Sequence, residues 1–208
     1  MKGLILTSLL VLSVAAPLNA RDDDRSAMRQ EFTGVAVSIG TPGNPAGIAP
    51  VDIVITRWST PAERQRLVHA FTGEGQSAAV GELQDMKAVG TIRVNNQGLA
   101  YDLRYAREFK NEDGGRRIFL LTDRPIGAWE AFVQPRYSEY PFTLIEMRLG
   151  ADGTGEGKLS LFTKIIYDKN RKQVVLENYQ SQPVMLTKVR REDKDPGGWY
   201  SPGSPPLR

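Results

Sequence analysis

The chain reads as mainly β: an antiparallel barrel or sandwich with one inserted helical pair. Three observations predict this. Apolar residues recur at a period of two in run after run between residues 31 and 190, and short clusters of Gly, Pro, Asn and Asp separate the runs. One interval alone, residues 61–86, changes to helical spacing. The chain also holds no cysteine, so a packed interior has to maintain the fold without crosslinks.

Residues 1–20 stand apart from that domain. Lys2 supplies a positive start, residues 4–16 are apolar and uncharged, Pro17 breaks the run, and Ala20 is a small residue of the kind a signal peptidase needs. The apolar run is shorter than the roughly 20 residues that cross a bilayer. It therefore reads as a secretory signal peptide, with a periplasmic or extracellular destination. Residues 21–30 are polar and read as a flexible N-terminal segment.

The single β-rich domain is expected over residues 31–190. Its first strand, 31–39, carries Phe32, Val35, Val37 and Ile39 at strand spacing, and a Gly/Pro loop over 40–45 follows. In the second, 51–58, Val51, Ile53 and Ile55 alternate with Asp52, Val54 and Thr56. A helix then begins with Thr60 as N-cap, Pro61 at the first helical position and Glu63 three residues past the cap, a capping box. Leu67, Val68 and Phe71 form its apolar stripe, and Gly73 is the expected stop. A second helix is expected over 76–86 on Ala79, Val80, Leu83 and Met86, with Gly81 its weakest position.

Strands resume at 89–94, followed by the turn Asn95-Asn96-Gln97-Gly98. Leu99, Tyr101, Leu103 and Tyr105 then alternate with Ala100, Asp102, Arg104 and Ala106, which predicts one buried face for the first four. Further strands are expected at 117–122, 128–133 and 143–149; in the last, Ile145, Met147 and Leu149 alternate with Leu144, Glu146 and Arg148. Residues 158–167 and 173–179 read as a hairpin closed by Asp168-Lys169-Asn170, and 184–190 as the final strand. The helical pair should pack across a sheet face or plug a barrel end. Residues 191–208 hold repeated Pro and Gly and read as a disordered tail.

Composition excludes several chemistries. Without cysteine there is no thiol catalysis, disulfide exchange or Cys-zinc site. The chain has one histidine, His69, placed almost opposite the apolar stripe of the first helix, so no His-based metal site or triad is expected. The run Asp152-Gly153-Thr154-Gly155-Glu156 lacks the glutamate that closes a calcium loop, since Thr163 stands at that position; it reads as a glycine-rich hairpin turn. No cofactor and no metal are expected. The net charge is +3, with Lys2 of the leader supplying one unit, and no basic stripe interleaved with aromatics points to nucleic acid. No second apolar segment is long enough to span a membrane.

Residues 122–142 concentrate the remaining chemistry. Asp123, Arg124, Glu130, Arg136 and Glu139 alternate there with Trp129, Tyr137, Tyr140 and Phe142, between Pro125, Pro135 and Pro141. Guanidinium groups grip carboxylates and phosphates, and aromatics beside a few polar anchors suit a sugar ring or a peptide. Arg124, Trp129, Glu130, Tyr137 and Tyr140 are accordingly the candidate binding residues for a small-molecule, glycan or protein partner. No catalytic residue is assigned. Asp123 and Glu130 offer an alternative, a carboxylate-dependent hydrolase acting on envelope polymer. A third possibility is an assembly protein that pairs through a bare sheet edge.

The segments LTDRPIGAWEAF, YPFTLIEMRL and GTGEGKLSLFTKI, in that order, resemble a family of uncharacterised secreted bacterial proteins. The resemblance runs from about residue 50 to residue 190. It implies an exported envelope protein and brings no activity, ligand or site residue with it.

Overall fold

Strand pairing closes the chain into a barrel. In the computed structural model, the described residues are 29–40, 46–74, 76–95, 100–124, 126, 142–168, 173–178 and 183–192. The elements are β1 (Gln30–Ser38), β2 (Gly47–Ile55), α1 (Pro61–His69), a π-helical turn (Ala70–Glu74), α2 (Gln76–Asp85), β3 (Gly90–Val94), β4 (Tyr101–Lys110), β5 (Arg116–Thr122), β6 (Phe142–Leu149), β7 (Thr154–Asp168), β8 (Gln173–Asn178) and β9 (Val184–Glu192). All pairings are antiparallel. Each of β1 to β6 pairs with the next, β6 pairs with β7, β7 with β9, and β9 with β1. This ring has no free edge. The far half of β7 leaves it and pairs with β8 instead, so the β7–β8 hairpin projects from the barrel.

Among the described residues there are two apolar cores, one on each face of the same strands. Inside the barrel, Phe32, Ile55, Ile92, Leu103, Ile118, Leu120, Ile145 and Met147 are almost wholly buried. On the outside of β4, β5 and β6, the residues Tyr105, Phe119, Leu121, Phe142 and Leu144 are covered by Leu67, Ala70, Ala79, Leu83 and Met86 of the helical segment. The helical pair thus lies across the outer sheet face and plugs neither end. This explains why β5 reads as continuous apolar sequence: Ile118 to Leu121 are buried on both faces.

Several local expectations change. The apolar row Val35, Val37 and Ile39 faces outward; β1 contributes Phe32 and Ala36 to the interior, since those are the buried positions. The expected common face of Leu103 and Tyr105 is broken by a bulge at Arg104: Leu103 lies opposite Thr122 and Tyr105 opposite Leu121. One extra residue turns the strand over, so Leu103 and Ala106 enter the barrel core while Tyr105 meets the helices. Gly73 does not stop the first helix, because the backbone continues through a π-helical turn. The ends shift as well. Gln30, expected in the flexible segment, opens β1. Arg191 and Glu192, expected in the tail, belong to β9, where Glu192 accepts a hydrogen bond from the Thr33 hydroxyl at 2.7 Å.

β9 carries its own bulge at Lys188, whose φ is 52°. Thr33 pairs with Arg190 but Val35 with Thr187, and the same shift appears against β7 between Gly155 and Gly157. The buried positions accordingly change phase from Val184 and Leu186 to Val189. The expected leader at 1–20, most of the 21–30 segment, residues 193–208 and the expected strand at 128–133 lie outside the described residues. Among the described residues no helix is long and apolar enough to cross a membrane.

Candidate functional site

Buried residues flank both sides of the segment singled out by the sequence. At the end of β5, the Thr122 hydroxyl donates to the Arg124 carbonyl and accepts from the Thr143 amide at 3.1 Å. The Ile126 amide donates to the Thr143 hydroxyl at 2.9 Å. Both threonines are fully buried, and Ile126, 2% exposed, belongs to the barrel core. On the return side Phe142 is fully buried beneath the helices, edge-on to Phe71 with ring centroids 5.6 Å apart. Buried polar groups need partners, and these threonines satisfy one another across neighbouring strands, tying the start of the segment to its end.

Of the predicted binding residues, Arg124 is described: it is exposed, with its guanidinium 5.1 Å from the centroid of the Tyr101 ring. Trp129, Glu130, Tyr137 and Tyr140 lie outside the described residues. Asp123 is engaged structurally. Its carboxylate accepts from Arg104 Nε at 3.0 Å, while Arg104 also reaches the Met86 carbonyl at 3.1 Å and Asp102 at 3.3 Å. This arginine joins β4, the end of β5 and the end of α2.

The remaining candidates are placed plainly. His69 is exposed on α1. Asp152 accepts from the Thr154 hydroxyl at 2.7 Å and its amide at 3.0 Å, closing the β6–β7 turn; these bonds, the hydroxyl's first, lower its pKa. Among the described residues no group of three or more His, Asp or Glu is placed to hold a metal ion. A small apolar cavity of about 10 Å³ lies between Phe32, Gly34, Val51, Ile53, Leu186 and Val189, far below the roughly 300–1,000 Å³ of typical ligand pockets.

Sequence reasoning missed an arginine–phenylalanine array on the outer face of β4, β5 and β6. Arg107 sits 4.8 Å from the Phe109 ring centroid and Arg117 4.7 Å from that of Phe119, and the two rings meet edge-on at 5.7 Å. Arg117 and Arg148 both donate to the same oxygen of Glu146, at 2.8 Å each. Burial pushes the Glu146 carboxyl up, but hydrogen bonds and charge from the two arginines outweigh it, so the group ends below its ordinary value. Two guanidinium groups converging on one carboxylate oxygen leave donors in excess, an arrangement suited to a further anion. Its one sequence signal is the motif Arg-x-Phe, present at 107–109 and again at 117–119; the array itself exists only because those strands pair.

No protein-family model, no curated protein and no solved structure matches this chain.

Proposed function

We propose that this is an exported, non-catalytic binding protein of the bacterial cell envelope, in keeping with the secreted family its segments resemble. It engages a small-molecule, glycan or protein partner through residues 123–142. The observation that carries this reading is the pair of buried stems: Ile126, Thr122, Thr143 and Phe142 pin both ends of an aromatic-rich segment to a closed barrel. A rigid scaffold presenting one loop is a common way to build a binding site. Trp129 and Tyr137 then supply apolar contact area, and Arg124 and Glu130 the polar anchors.

The test is binding of the full chain and of a Trp129→Ala/Tyr137→Ala variant to purified peptidoglycan sacculi, to a panel of soluble oligosaccharides and to immobilised envelope proteins. A loss of at least about tenfold in affinity is expected for the variant, the scale of removing anchor side chains worth more than ~1 kcal/mol each. Unchanged affinity, or a parent chain that binds none of these, would overturn the reading.

A second reading, assembly through a sheet edge, has one observation in its favour. Among the described residues β8 pairs on one side only, with β7, and its sequence, QVVLEN, carries a single charge. Light scattering on the full chain distinguishes a self-paired assembly from a monomer.

A further inference from the structure

Beyond the helical cover, the outer face of β4, β5, β6 and β7 carries two rows of side chains that combine charge with phenyl rings. One row is Arg107, Phe119, Glu146 and Lys158. The next, toward the β4–β5 and β6–β7 turns, is Phe109, Arg117, Arg148 and Glu156. Residues directly opposite in antiparallel strands share a face, and like charges in that position are destabilising. Arg117 nevertheless stands directly opposite Arg148. Over the two rows four cations, Arg107, Arg117, Arg148 and Lys158, stand against two carboxylates, Glu146 and Glu156, an excess of two positive charges.

We propose that these rows bind a phosphorylated sugar, its phosphate monoester held by Arg117 and Arg148 and its sugar ring against Phe109. The two guanidinium groups are already placed for one anion. Each donates from Nε to the same Glu146 oxygen at 2.8 Å, so the two nitrogens stand at most twice that distance apart. A single phosphoryl group spans such a gap with charge-assisted hydrogen bonds of about 2.7–2.9 Å. Each guanidinium carries more N–H donors than Glu146 occupies, and the Arg148 side chain is 56% exposed. Stacking fixes the forks in advance: Arg117 lies 4.7 Å from the Phe119 centroid and Arg107 4.8 Å from that of Phe109. A guanidinium held against a ring has less freedom left to lose when a ligand binds.

Charge selects the phosphate. A monocarboxylate would leave half of the excess unmatched, whereas a phosphate monoester carries about −1.5 to −2 at pH 7. Glu146 opposite Lys158 and Glu156 opposite Arg148 are already counted in that balance. The ring selects the sugar. Phe109 is 39% exposed and no aliphatic side chain of the two rows accompanies it. A lipid chain therefore finds no apolar surface to enter here, while one exposed ring beside polar anchors suits a sugar. β5 and β6 run from these rows to the Thr122–Thr143 contact at their other ends. The site thus uses none of residues 123–142 and is independent of the proposed binding function.

Isothermal titration calorimetry of the full chain with glucose 6-phosphate, inorganic phosphate, glucuronate and glucose tests the site. Glucose 6-phosphate should bind most tightly and inorganic phosphate measurably. Glucuronate should bind at least about tenfold more weakly than glucose 6-phosphate, and glucose not at all. Arg148→Gln should weaken glucose 6-phosphate at least about tenfold. Arg148→Lys, which keeps the charge but loses the planar fork, should weaken it at least about threefold. Phe109→Ala should cost about threefold for glucose 6-phosphate and leave inorganic phosphate unchanged. All three substitutions are at exposed positions, and unchanged thermal denaturation by circular dichroism confirms that each variant is folded. The inference is overturned if neither phosphate ligand binds, if glucuronate or inorganic phosphate matches glucose 6-phosphate, or if either Arg148 variant keeps full affinity. It is equally overturned if the chain binds phosphatidic acid vesicles and not the soluble sugar phosphate.

Discussion

At the scale of single residues, the barrel depends on places where a side chain cannot be. A Cβ built on Gly90 would stand 2.0 Å from the Val54 carbonyl oxygen, and one on Gly155 1.9 Å from that of Arg148. Real atoms cannot approach so closely, and both obstacles are backbone of a paired strand, so neither can rotate away. Gly90→Ala is therefore expected to cost about 3 kcal/mol or more, in the range of overpacked or strained core substitutions. Urea denaturation of parent and variant measures it; a midpoint unchanged by the substitution would show that β2 and β3 can separate at little cost. These glycines were visible in the sequence, but their role was not, since the clash depends on which strand lies alongside. The same limit explains Tyr105. Its alternation with Leu103 is real in the sequence, yet one bulged residue at Arg104 sends the two to opposite cores.

At the scale of elements, α1 shows how far local chemistry reaches. The Thr60 hydroxyl accepts from the Glu63 amide at 3.2 Å and the Glu63 carboxylate from the Thr60 amide at 2.8 Å, as the spacing of the two residues predicts. Thr60→Ala should cost about 1 kcal/mol, the usual worth of such a cap, read from thermal denaturation. What the sequence does not reveal is Arg57, whose guanidinium grips Glu63 with two hydrogen bonds of 2.9 and 2.8 Å and reaches the Lys87 carbonyl at 2.8 Å. That fork ties the start of α1 to the segment after α2. The Arg57 hydrogen bond lowers the Glu63 pKa below its ordinary 4.5 and, with the cap and the Arg57 charge, outweighs burial. A depressed carboxyl stabilises the fold above its unfolded value, and that contribution is lost as pH falls through the folded value. Glu63→Gln should thus lower stability at pH 7 and flatten the decline below pH about 4.5. An identical acid limb in parent and variant, followed by circular dichroism, would assign the decline to other carboxylates.

At the scale of the whole molecule, two cores share three strands. Leu120 lies in the barrel interior and Leu83 in the helix-covered layer, both fully buried. Because β4, β5 and β6 form a wall of each, loss of one core removes support from the other, and a single cooperative transition is expected. Leu120→Ala and Leu83→Ala should each cost about 2–5 kcal/mol and shift far-ultraviolet and near-ultraviolet signals together. Separate transitions in the Leu83→Ala variant would mean that the helices form an independently melting layer. The outer face of β1, β2 and β9 has no such helical cover among the described residues, and the asymmetry between the two sides of the barrel follows from where the one helical interval was inserted.

Periodicity alone determined the strand-rich class, the helical interval and its cap, because these signals lie within a few consecutive residues. The prolines and aromatics of residues 122–142 marked that segment in the sequence, but the threonine pair that ties its two ends was not visible, since Thr122 and Thr143 meet only through the pairing of β5 with β6. The tertiary structure decided barrel over sandwich, through the β6–β7 and β1–β9 pairings, and it decided which apolar row faces in. The physical reason is that alternation fixes two faces but not their direction: closure of the barrel set Val35, Val37 and Ile39 on the outside, and the bulge at Arg104 split Leu103 from Tyr105.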